Sequence, residues 1–114
     1  VRNKETKNMN TDIILSIRNA SLKGQEVKSL RKQLKSLVAP GRTVVLQMAG
    51  VQHVDAEGAG AILEFARKLR SNGGSLRIAD IEKKVAAFFE MLQLNRAVEI
   101  YATQNDAVQV ALAA

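Results

Sequence analysis

RTVVLQMAGVQHVDAEGAGAILEFARKLRSNGG, residues 42–74, changes its hydrophobic period in the middle. Residues 42–48 are β-branched and apolar on both faces, the pattern of a strand inside a parallel sheet. From 58 to 71 the period lengthens: Ala59, Ile62, Leu63, Ala66 and Leu69 share one helical face. Arg67, Lys68 and Arg70, then Asn72, Gly73 and Gly74, suit the end of that helix. Between strand and helix lies HVDAEGAG, residues 53–60, a turn that carries an acid, Glu57, among small residues.

The same two periods recur on either side. Residues 12–17 alternate Ile13, Leu15 and Ile17 with Ile14, Ser16 and Arg18, which predicts a half-buried strand. Val27, Leu30, Leu34 and Leu37 place a helix over 23–38, stopped by the Ala-Pro-Gly at 39–41. Residues 75–80 read as a strand, and Asp80 suits the cap of a helix over 82–92 that buries Val85, Phe88, Phe89 and Leu92. Residues 97–102 form the last strand, and a final helix starts at Thr103, with Asp106 completing a capping pattern. Part of the polar leader, residues 6–9, can add an edge strand. The order β-(β)-α-β-α-β-α-β-α predicts an α/β fold: a single, mostly parallel sheet with about four helices.

With 114 residues, 46% apolar and 25% charged, the chain suits one soluble domain over 12–114 behind a leader over 1–11. No apolar run reaches the roughly 18 residues of a membrane span. The leader lacks the apolar core of a secretory signal, and the initial Val reads as a trimmed or partial chain. The chain has no Cys, which excludes disulfides and thiolate sites; a cytoplasmic location is the expectation. Residues 1–38 carry nine Lys or Arg against three acids, whereas 39–114 carry eight of each, so the whole excess of +6 lies in the first third. Such asymmetry can mark contact with an anionic partner.

The residues offer little to catalysis. His53 is the sole histidine, so neither a multi-histidine metal site nor a Cys–His pair can form, and His53 with Asp55 lacks a positioned serine. Gly58-x-Gly60-x-x-Leu63 with Asp80 downstream is a partial dinucleotide fingerprint. Leu63 is too bulky for its third small position, and Glu57 would repel a pyrophosphate at the helix start. No catalytic residue, metal or cofactor is therefore expected. Lys28, Arg31, Lys32 and Lys35 form one basic stripe on the first helix. It is either a solvated flank or a contact face for an acidic protein or anionic lipid. Aromatics are only 4% of the chain, so base stacking, and with it nucleic-acid binding, is not expected.

Taken in order, these segments resemble the STAS domain, the fold of bacterial anti-sigma-factor antagonists. Residues 48–54 match the family's short passage before its D-S-S-G motif, and residues 55–60, Asp-Ala-Glu-Gly-Ala-Gly, match the motif itself. Residues 74–79, 89–94 and 98–101 match the later strand, Leu-rich turn and final strand. The resemblance implies a non-enzymatic protein-interaction module, a regulator of the anti-sigma-factor-antagonist kind, whose partner is an anti-sigma factor or a serine-kinase-like ATP-binding protein. In phospho-regulated relatives the second serine of the motif takes a phosphate that releases the partner. Here the two serine positions are Ala56 and Glu57, and neither accepts phosphate.

Glu57 carries a fixed charge of −1, against about −1.5 to −2 for a phosphoserine. It is either a permanent imitation of the phosphorylated form or an acid at a site never used as a switch. A first-turn acid also contributes about 0.3–1 kcal/mol to a helix without any partner. The resemblance places the contact centre at Asp55, Ala56, Glu57, Gly58 and Gly60, with the glycines letting a partner backbone approach. An alternative within the family is a STAS subunit that binds the ATPase of a lipid-transport ABC system, touching a membrane only through that partner.

Overall fold

In the computed structural model residues 12–113 are described, with side chains through Val108, so the leader strand expected over 6–9 lies outside them. The sheet holds β1 (Asp12–Ser16), β3 (Thr43–Gln47), β5 (Ser75–Ala79) and β6 (Glu99–Tyr101), in the order β1-β3-β5-β6. Every pairing among these described strands is parallel, with Ile13 beside Val44, Val44 beside Leu76 and Ile78 beside Ile100. A separate parallel pair joins β2 (Ser21–Leu22) to β4 (His53–Val54). The helices are α1 (Gln25–Lys35), α2 (Ala56–Ser71), α3 (Lys83–Met91) and α4 (Gln104–Ala113), with one 3₁₀ turn at Leu94–Arg96.

This order dictates the layers. Each crossover steps one strand in the same direction across the sheet, and right-handed crossovers then put α1, α2 and α3 on one face. That face carries Val44, Leu46, Leu76 and Ile78, packed with Leu30, Leu34, Ile62, Phe65, Leu69, Val85 and Phe89 in the main core. α4 follows the last strand and covers the other face, where Val45, Ala79 and Ala107 form a small second core with Tyr101 and Val108. It packs on β3, β5 and β6, and Ile14 of β1, paired with Val45, stays 47% exposed.

Within the described residues the expected strands and helices are present, with shifted ends. α2 begins at Ala56, not 58, and ends as a Schellman turn: Gly73 N donates to Arg70 O (3.0 Å) and Gly74 N to Leu69 O (2.8 Å). α3 ends at Met91, and Gln93 turns the chain with φ 61°, so Leu92, expected to be buried, is exposed. Asp80 does not cap α3. Its φ of 55° swings the carboxylate toward α4, where Oδ2 accepts from Gln104 N (3.1 Å) and from Gln47 Nε2 (2.8 Å). Thr103 Oγ1 accepts from Asp106 N (3.1 Å), as the capping pattern predicts.

On the α4 face, buried Arg77 of β5 pairs with Glu99 of β6 at 3.0 Å. The Tyr101 hydroxyl donates to the same Glu99 oxygen at 2.6 Å. That bond foremost, with help from Arg77 and against the upward push of partial burial, holds the Glu99 carboxyl below its ordinary 4.5, while the carboxylate pushes the Tyr101 hydroxyl above its ordinary 10.0.

Candidate functional site: the start of α2

The turn between β3 and α2 is tied down by backbone. Met48 and Val51 are fully buried, and Gln52 N and His53 N both donate to Ala20 O, at 2.7 and 3.1 Å. Those bonds align β4 with β2, and Asp55 N continues the ladder to Leu22 O at 3.3 Å. Asp55 then leaves the strand in an extended conformation (φ −90°, ψ −179°) as the N-cap of α2. Its Oδ1 accepts from Gly58 N at 2.8 Å, and its carbonyl from Ala59 N at 3.0 Å.

With Asp55 as cap, Ala56 and Glu57 fall in the first helical turn. Asp55, Ala56 and Glu57 are all exposed, whereas Gly58 is buried and Gly60 half-buried. The two glycines have different work. A Cβ on Gly58 would stand 2.9 Å from Leu22 O and 3.0 Å from Val54 Cγ1, so the chain's own β2 and β4 fill the space expected to admit a partner backbone. A Cβ on Gly60 would meet nothing within 4 Å, so only there does the surface stay open. Glu57 thus stands at the positive end of α2, beside N–H groups with no helical acceptor.

One cleft borders this turn that no local pattern in the sequence announces. It holds about 430 Å³ beside β4 and α3. Val54, Val85 and Phe88 give it apolar walls, and Lys23, His53, Asp55 and Lys84 supply its polar ones. His53 and Asp55 do share a side, as an extended backbone requires. Among the described residues, no three His, Cys, Asp or Glu gather as metal ligands. Lys28, Arg31, Lys32 and Lys35 are all exposed and stand apart from the turn, along the groove between α1 and α2.

The cap carries a direct prediction. Asp55→Ala removes the acceptor of Gly58 N and should cost about 1 kcal/mol of stability in urea denaturation, within the 0.5–2 kcal/mol usual for caps. Asp55→Asn keeps the acceptor and should fall within a few tenths of a kcal/mol of the parent. Equal losses in both variants would show that the cap bond is not what matters there.

The STAS domain model matches residues 3–107. No curated protein matches the chain. Among solved structures, a candidate anti-sigma-factor antagonist of Thermotoga maritima is 19% identical, with a TM-score of 0.75 and 86% of each chain covered. The anti-sigma-factor antagonist SpoIIAA in its unphosphorylated form is 16% identical, with a TM-score of 0.75 and 91% of each chain covered. The murine Solute Carrier 26 family member A9 anion transporter is 18% identical, with a TM-score of 0.78; the match takes 96% of this chain but only 20% of the transporter. At these identities the likeness is one of fold. None of the described helices is long and apolar enough to cross a membrane.

Proposed function

The chain belongs to the STAS domain family, and on that premise we propose that it is a non-enzymatic regulator acting by protein–protein contact through the start of α2. The contact centre is Asp55, Ala56 and Glu57, with Gly60 leaving open surface beside them and Gly58 seating the helix from within. The partner is an anti-sigma factor or a serine-kinase-like ATP-binding protein. One observation carries this reading: the cap leaves Ala56 and Glu57 exposed together in the first turn of a helix held by its own backbone ladder. A charge at that point can change a partner's affinity without changing the fold. Because Glu57 cannot be dephosphorylated, the signal it gives is constant, and regulation passes to the partner or to its abundance.

The test is capture of the partner from source cells with the parent protein and with Glu57→Gln and Glu57→Ser. The expected result is an ATP-binding protein of the anti-sigma or serine-kinase class. Its affinity should shift about tenfold, roughly 1.4 kcal/mol, when the charge is removed. Glu57→Ser should also take phosphate from that partner and ATP. Unchanged affinity together with no labelling of the serine variant would refute the reading. Capture of a transporter ATPase would favour the alternative, in which the domain is a standing subunit of a transport assembly and a release switch has no use.

A further inference from the structure

α1 and α2 lie side by side on one face of the sheet, and the groove between them holds about 360 Å³. Lys28, Lys32 and Lys35 line its α1 wall and Lys68 its α2 wall. Arg31 also lines it, paired across the groove with Glu64, the one acid among its lining residues. Cations from two helices therefore converge on one concavity with a single carboxylate, itself taken by Arg31. Like charges held together across a groove raise the free energy of the empty state, and an anionic occupant relieves it. We propose that this groove docks an acidic segment of a partner protein, at a surface distinct from the start of α2.

The shape and the apolar inventory choose between anionic partners. A bilayer is flat and meets a helical face best when large apolar side chains insert beside the cations. Among the described residues the exposed large hydrophobics are Ile14, Met91, Leu92 and Ile100, none of them on α1 or α2. Of the groove's own apolar side chains, Leu34, Ala61 and Phe65 are buried and Val38 is half-buried, so they offer a lipid chain little to join. A polypeptide laid along the groove fits better. Lys28, Lys32 and Lys35 recur once per turn, about 5.4 Å of rise, so carboxylates at i, i+4 and i+7 of a helical segment would meet them in register.

The probe is a synthetic helical peptide with Glu at i, i+4 and i+7, compared with its Gln counterpart, titrated into the isotopically labelled protein. Amide shift changes are expected to centre on α1 and the middle of α2. Affinity should fall at least about tenfold in the charge-reversal variant Lys28→Glu/Lys32→Glu/Lys35→Glu. It should hold nearly level in Arg18→Glu/Lys83→Glu/Arg96→Glu, which changes net charge equally at exposed residues away from the groove. Glu64→Gln should tighten binding by freeing Arg31. If charge reversal disturbs folding, judged by circular dichroism, the Lys→Gln triple variant serves instead. Equal binding of the Gln peptide, or equal loss in both triple variants, would overturn the proposal. So would selective binding to phosphatidylserine-containing vesicles with no response to the peptide.

Discussion

Gly74→Ala is expected to remove about 3 kcal/mol of stability or more, a large share of what a domain of this size possesses. A Cβ at residue 74 would lie 1.9 Å from Arg42 O, 2.8 Å from Arg42 C and 3.0 Å from Arg42 N. All three are backbone atoms, so no side chain can swing aside. The site is also hemmed in by hydrogen bonds: Gly74 N closes α2 on Leu69 O, and Ser75 N opens the β5 pairing on Arg42 O at 3.2 Å. Moving either segment breaks a helix end or the first rung of the central strand pair. Calorimetry should show a melting temperature more than about 10 °C lower, at roughly 4 °C per kcal/mol for a domain somewhat over 100 residues. A shift of only a few degrees would mean that the turn relaxes far more easily than its backbone contacts imply.

Gly58→Ala is the second large effect, and Gly60→Ala is its control on the same helix. Alanine is the better helix former by about 1 kcal/mol, so propensity alone predicts that both substitutions stabilise. At Gly60 nothing opposes that gain, and stability should rise by up to about 1 kcal/mol. At Gly58 the new methyl meets Leu22 O at 2.9 Å, and overpacking of about 1–3 kcal/mol outweighs propensity. Urea midpoints should therefore move in opposite directions. The Gly58 variant should also disturb the amide of Asp55, which donates to that same Leu22 carbonyl. Two gains of equal size would remove the close seat of α2 on β2 from the account.

What the sequence made legible was what periodicity encodes. The alternation of residues 12–17, the double-sided run at 42–48 and the helical spacing of Ala59, Ile62, Ala66 and Leu69 led directly to strands, helices and their order. Ser21–Leu22 and His53–Val54 escaped because two residues carry no period; they form a ladder only because the chain returns to Ala20. Asp80 was assigned to the nearer helix because cap patterns are read forward along the chain. A left-handed φ at the acid reverses that logic and sends its carboxylate to a helix more than twenty residues away. At the candidate site, the motif exposed the Asp55, Ala56 and Glu57 cluster, but it could not tell a glycine facing outward from one facing Leu22. The basic stripe on α1 was visible as a stripe; that Lys68 and Glu64 complete a groove depends on tertiary packing.

The parallel pairing of the described strands has a consequence for how quickly the molecule can be made. Among the described strands no neighbouring pair is joined by a hairpin: Thr43 meets Ser75 across 32 positions and Arg77 meets Glu99 across 22. Each pairing must wait for an entire helix to form and fold back, so loop-closure entropy is spent before any sheet contact is gained. Refolding on the scale of milliseconds to seconds is therefore expected, slower than a helical bundle of equal length. During that interval β3 and β5, the two described strands with partners on both sides, have both edges open to other chains. For a newly synthesised copy, local concentration during that interval matters as much as final stability in deciding whether it reaches the state that carries Glu57 on its surface.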